Sequence, residues 1–160
     1  MTAQGSNDQL QRVLVLYNTD YDDDADERVA GADVSAVRLS AMAVCDALRS
    51  EGLGGELLGI HGRDLAQVLP RLVEAAPDLV FNLCESLHSD SRNEIVMPAV
   101  LDLFGMRYTG SDSFGLSLCL HKPRTKEALR GRGIPTPPYL VIGPEDLAGL
   151  DGRPDLDALS

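Results

Sequence analysis

The sequence predicts an α/β fold: an open, mostly parallel, Rossmann-like sheet with helices on both faces. Short apolar runs of strand length, at residues 12–17 and 79–84, alternate with segments whose apolar residues recur at helical spacing. The run Leu79-Val80-Phe81-Asn82-Leu83-Cys84 is apolar on both faces, as a strand covered from both sides must be. Gly and Pro punctuate nearly every change of period, which gives strand–helix–strand alternation rather than a hairpin meander.

The first strand is Arg12-Val13-Leu14-Val15-Leu16-Tyr17, ending at Asn18-Thr19-Asp20. An acidic stretch from Tyr21 to Glu27 reads as a solvated loop. Asp33 is placed to cap a helix carrying Val34, Val37, Ala41, Val44 and Leu48 on one face, and Gly52, Gly54 and Gly55 are expected to stop it. Glu56-Leu57-Leu58-Gly59-Ile60 reads as a second strand. A helix over about residues 64–74 follows, with Pro70 inside it either speaking against a helix or implying a kink. After the third strand, Ile95, Val96, Ala99, Val100, Leu103 and Phe104 mark another helix, closed by Gly105. Arg107-Tyr108-Thr109-Gly110-Ser111 reads as a short fourth strand and turn. Helical pieces follow at residues 113–120 and about 123–131, then a last strand at 139–142, for a sheet of four or five strands. Leu14, Leu16, Val80, Phe81, Val44, Leu48, Val100 and Leu103 are the expected core.

Composition excludes several function classes. The 160 residues, 44% apolar and 24% charged, suit one domain with a real core. The formal net charge of −11 repels phosphate backbones and anionic lipid, which argues against nucleic-acid or membrane partners. No run approaches the length of a membrane-spanning helix, and residues 1–11 carry no signal-peptide core. Three widely spaced cysteines, Cys45, Cys84 and Cys119, suit a reducing cytoplasm. His61, His88 and His121 lack metal-ligand spacing, so no metal site is expected. The Asp20–Glu27 cluster lacks the calcium-loop pattern. Gly52-Leu53-Gly54-Gly55 follows a helix and reads as a turn, not a phosphate cradle. Cys84 reads as a buried small residue.

Function in such sheets sits beyond the carboxyl ends of the strands, where strand order reverses. If the first and third strands are neighbours, that crevice is lined by Asn18, Asp20, Asn82, Glu85 and the Thr109-Gly110-Ser111 turn.

The stretch from Phe104 to Tyr139 carries a more specific signal. Three motifs stand in register: Gly105-Met106-Arg107-Tyr108-Thr109-Gly110-Ser111, Leu120-His121-Lys122, and Gly133-Ile134-Pro135-Thr136-Pro137. In order and spacing they resemble the D-alanine–D-alanine ligase branch of the ATP-grasp family, and Phe81-Asn82-Leu83-Cys84-Glu85 is similar to a strand end found among ligase-like members. The resemblance spans residues 12–142. It implies a pre-ATP-grasp domain over 12–142, preceded by a flexible start at 1–11 and followed at 143–160 by a linker toward an ATP-grasp region. It implies ATP and magnesium as cofactors of the intact enzyme, neither expected to bind tightly to this chain alone.

Lys122 falls on the family's phosphate-contacting lysine; a point cation on a flexible stem is what a polyphosphate needs. His121 stands where the family has Asp. The family's substrate glutamate and its His-Gly loop have no direct match. Glu27 stands in for the first, and Asn82, Glu85, Glu94 and Ser111 are the candidates around the crevice, carboxylates there suiting an ammonium. These departures favour the broader activity, an ATP-dependent carboxylate–amine ligase with a small amino-acid-like substrate. No catalytic residue is assigned to this chain, which is expected to be inactive without the second lysine and metal ligands that follow in the family. A separate ATP-grasp polypeptide and a homodimeric copy are the protein partners considered. The competing reading is a non-catalytic module binding a small acid or a protein.

Overall fold

Strand β1 (Arg12–Asn18) is the middle strand of a parallel three-stranded sheet, ordered β2-β1-β3 with β2 (Gly54–Ile60) and β3 (Leu79–Leu83) on its flanks. The structure is a computed structural model and describes residues 11–19 and 34–143. Helix α1 (Val34–Ser50) joins β1 to β2, α2 (Leu65–Ala75) joins β2 to β3, and α3 (Val96–Leu103) follows β3. Short 3-10 segments at Gly62–Asp64 and Ser91–Ile95 lead into α2 and α3.

Alternation along β1 divides the core between two faces. Leu14 and Leu16 join Leu58, Ile60 and Val80 against Val68 and Leu72 of α2 and Met97 and Leu101 of α3. Val15 turns the other way, to Ala41 and Cys45 of α1, with Tyr17, Val44, Leu48, Leu57, Phe81 and Leu83 packed around them. Period-2 strands covered on both faces require apolar residues at every position, which is why β1 reads as an unbroken run. The expected fold class is therefore the observed one.

Several expectations need correction. Gly54 and Gly55 do not sit in a turn; they are the first residues of β2. A Cβ on Gly54 would stand 2.9 Å from the Gln11 carbonyl oxygen, and one on Gly55 would stand 2.8 Å from that of Cys45. Only glycine admits so close an approach of strand to strand and strand to helix. Gly52, at φ 79°, makes the turn instead.

The fourth strand contracts to a single parallel bridge between Val80 and Tyr108. The Val80 amide donates to Arg107 O, and the Thr109 amide donates to Val80 O. Gly105 and Gly110, both at positive φ, turn the chain away on either side.

Leu103, expected in the core, is 80% exposed, because Leu101 takes the inward position on the short helix α3. Leu14, Leu16 and Val80 are buried as expected, whereas Phe81, Val44, Leu48 and Val100 are half-buried against the core. Helix α2 runs through Pro70, and the Asp33 cap lies outside the described residues.

The chain forms two compact units, divided between Ser117 and Leu118. Helix α4 (Ser113–Leu120) crosses that point. In the second unit, α5 (Lys122–Gly131) is followed by an extended segment that folds back on it. Tyr139 lies 4.8 Å from Lys126 Nζ and 5.1 Å from the Arg130 guanidinium carbon, each measured to the ring centre. Lys126 also donates to Pro137 O and Arg130 to Thr136 Oγ1. The strand expected at 139–142 does not form. Pro137 and Pro138 offer no N–H to a ladder, and the Tyr139 ring is engaged by two cations of α5.

Candidate functional site

β1 and β3 are hydrogen-bonded parallel neighbours, while the connection from β1 leads through α1 to β2 on the opposite side. Strand order therefore reverses between β1 and β3, and their carboxyl ends open a crevice. A cavity of about 170 Å3 lies there, lined by Ala36, Val37 and Ser40 of α1 together with Leu83 and Glu85. Glu85 is exposed at its edge.

The segment leaving β3 has no regular secondary structure, yet it is tied residue by residue. The Asn82 side chain accepts from the Cys84 amide at 3.2 Å. Asn18, 5% exposed, accepts from the Glu85 amide at 3.2 Å and donates through Nδ2 to Ser86 Oγ at 3.0 Å. The Asn82 amide in turn donates to Thr109 Oγ1 at 3.1 Å, which holds the 109–111 turn against the end of β3. Buried polar groups require such partners, and in three of these four bonds they are 27 to 68 residues apart in sequence.

Beyond Ser86 the chain makes a tight turn at Leu87–Asp90, with His88 at φ 57° and Ser89 at φ 54°. Asp90 caps the next 3-10 turn by accepting from the Arg92 amide at 2.9 Å. Its carboxylate also pairs with the Arg92 guanidinium, the closest contact being 2.7 Å. The side-chain hydrogen bonds from Arg92 hold the Asp90 carboxyl below its ordinary range.

The expected site residues fall in different places. Asn82 and Glu85 meet at the end of β3, and Ser111 lies exposed in the turn that Thr109 anchors. Glu94 is half-buried in the 3-10 segment before α3 and does not line the cavity. Lys122 opens α5 in the second unit; it is exposed and forms no ion pair among the described residues. Glu27 and Asp20 lie outside the described residues. Asn18, expected as a crevice liner, is instead a buried tie. Ser86, 2% exposed, was not anticipated: a lone serine in a polar stretch carries no local sign that a strand 68 residues earlier needs it.

Among the described residues no three His, Cys, Asp or Glu side chains gather to hold a metal ion, and no helix is long and apolar enough to cross a membrane. None of the three cysteines forms a disulfide.

No family model matches the chain. Curated relatives do. A D-alanine–D-alanine ligase of Sphingopyxis alaskensis is 36% identical over 116 residues, which is 72% of this chain and 35% of that protein. A D-alanine–D-alanine ligase of Chromohalobacter salexigens is 33% identical over 149 residues, covering 92% of this chain and 39% of the relative. Among solved structures, the D-alanine–D-alanine ligase of Bacillus anthracis complexed with ATP superposes with a TM-score of 0.59 at 17% identity, over 93% of this chain and 42% of that one. That likeness concerns the fold. The chain spans about a third of the length of the first of these relatives. Its sheet topology agrees with this match, and the chain belongs to the D-alanine–D-alanine ligase-like family, corresponding to the amino-terminal region of its members.

Proposed function

We propose that this chain provides the amino-terminal part of an ATP-dependent carboxylate–amine ligase and binds a small amino-acid-like substrate through its ammonium group. The observation that carries this reading is Glu85. It lines a small cavity at the strand-order reversal together with Ala36, Val37, Ser40 and Leu83. A cavity of about 170 Å3 has room for a small molecule of alanine size. The chain's net charge of −11 favours the approach of a cation. Asn82 and Ser111 support the reading as residues of the same strand end and its neighbouring turn, and Glu94 and Glu27 are further carboxylates assigned to substrate affinity.

ATP fits Lys122, an exposed cation in the first turn of α5, where helix polarity also favours an anion. A single screened contact of this kind is weak, so the chain by itself binds ATP poorly. Magnesium does not fit the described residues, and none of them is assigned to it. The cytoplasm, where ATP is abundant and thiols stay reduced, is the compartment of this reading. A second copy of the chain and a polypeptide carrying the remaining ligase regions are its protein partners.

The test is a chimera in which this chain replaces the matching region of the Sphingopyxis alaskensis ligase. Release of ADP that depends on an added amino-acid acceptor, and that slows at least about tenfold with Lys122→Ala, supports the proposal. A folded chimera that turns over normally with Lys122→Ala refutes the phosphate assignment. A folded chimera without ligation, together with tight binding of a protein or small acid by the chain, favours a non-catalytic binding module.

A further inference from the structure

We infer that Asn18 is a positioning residue that fixes Glu85 at the edge of the crevice, an inference that rests on the proposed role of Glu85 as the ammonium-binding carboxylate. Asn18 is the last residue of β1, in register with Ile60 of the neighbouring strand, and the Thr19 amide donates to Ile60 O at 2.8 Å. Its backbone is therefore held by the sheet, and its side chain projects from a rigid frame. From there one amide group serves two successive residues, accepting from the Glu85 amide and donating to Ser86 Oγ. Asn82, on the adjacent strand, holds the Cys84 amide. Three consecutive residues after β3 are thus pinned by two side-chain amides, where no helix or ladder would pin them.

The consequence concerns direction. Glu85 has an exposed carboxylate on a rotatable stem, and its cavity walls come from α1, a different element. A bound ammonium needs the carboxylate at one distance from those walls, so the direction of the Glu85 backbone sets the site. Asn18 supplies that direction without touching the substrate. Ser86 is a lesser contributor: it satisfies the Asn18 donor, but the bond to the Glu85 amide persists without it. An apolar residue of similar shape at position 18 preserves packing while removing both ties.

The experiment follows backbone amides of the isotope-labelled chain by NMR during titration with alaninamide, a small primary ammonium compound. In the starting protein, alaninamide is expected to shift the Glu85 and Ala36 signals. Glu85→Gln and Asn18→Leu should each weaken binding about tenfold, and the double variant should be no weaker than the worse single one. Ser86→Ala should lose less than about threefold. Without ligand, Asn18→Leu should accelerate exchange of the Glu85 amide at least about tenfold while the Leu16 amide keeps its protection. Fully additive losses, or Asn18→Leu binding like the starting protein, would overturn the inference. If the starting protein binds no alaninamide, the ammonium-site reading fails separately. The exchange data then decide alone: faster exchange at Glu85 upholds the positioning role, and unchanged exchange overturns it. Should Asn18→Leu lose protection at Leu16, Asn18→Ser, too short to reach the Glu85 amide, replaces it with the same criteria.

Discussion

Gly62 lies directly beneath the turn at His88: a Cβ placed on Gly62 would stand 2.5 Å from the His88 amide nitrogen and 2.7 Å from its ring Cδ2. The chain leaving β2 and the loop leaving β3 thus touch through backbone, next to two non-glycine residues already at positive φ. Gly62→Ala must displace the Leu87–Asp90 turn, and the expected loss is about 1–3 kcal/mol, typical of an overpacked contact. Gly131→Ala, which meets nothing within 4 Å in α5, should be neutral or stabilise by up to about 1 kcal/mol. Urea unfolding of both variants checks the pair; equal midpoints would refute the contact.

Two leucines separate core from surface. Leu72 is fully buried under the sheet, and Leu72→Ala should cost about 2–5 kcal/mol. Leu103 is 80% exposed, and Leu103→Ala should change stability by no more than about 0.5 kcal/mol. Denaturant midpoints of the two variants measure the difference directly.

Acid should reveal Asp78. Its carboxylate accepts from the amides of Arg12 at 2.7 Å and Gln11 at 3.1 Å, and those two bonds hold its titration below the ordinary carboxylate range. A carboxyl group with a lowered folded value contributes stability that is present above its unfolded value and is lost as pH falls through the folded one. Asp78→Asn should therefore be less stable than the starting protein at pH 7, and the gap should close below the folded value. A gap that persists at pH 2 would assign the loss to something other than charge.

Tyr108 should contribute to the alkaline limb. Burial first, then its hydrogen bond to Asp102 at 2.9 Å, pushes its phenol up to about 12. The folded state then retains a proton that the unfolded state releases near the ordinary tyrosine value of about 10. Its contribution is fully present below that value and is lost as pH rises toward about 12. Ultraviolet titration should show a late phenol that is absent in Tyr108→Phe and shifted downward in Asp102→Asn. A titration unchanged by Asp102→Asn would show that the aspartate contact has no effect.

The sequence by itself determined the layered α/β fold, because strands covered on both faces and helices covered on one leave distinct apolar periods in local residue order. The runs in β1 and β3, the stripe of Ala41, Val44 and Leu48 on α1, and the three motifs between Gly105 and Pro137 are all local features. What is decided by contact between distant segments left no such trace. Gly54 and Gly55 look like turn residues until β1 and α1 come close enough to forbid a side chain. The run around Tyr108 has strand character, but among the described residues only Val80 offers it a partner. Leu103 looks like core until Leu101 takes the inward face of α3. Glu85 could be named from its place after a strand, but not how it is held. That depends on Asn18, 67 residues earlier, because a buried amide is satisfied by whatever the fold brings to it and not by its neighbours in sequence.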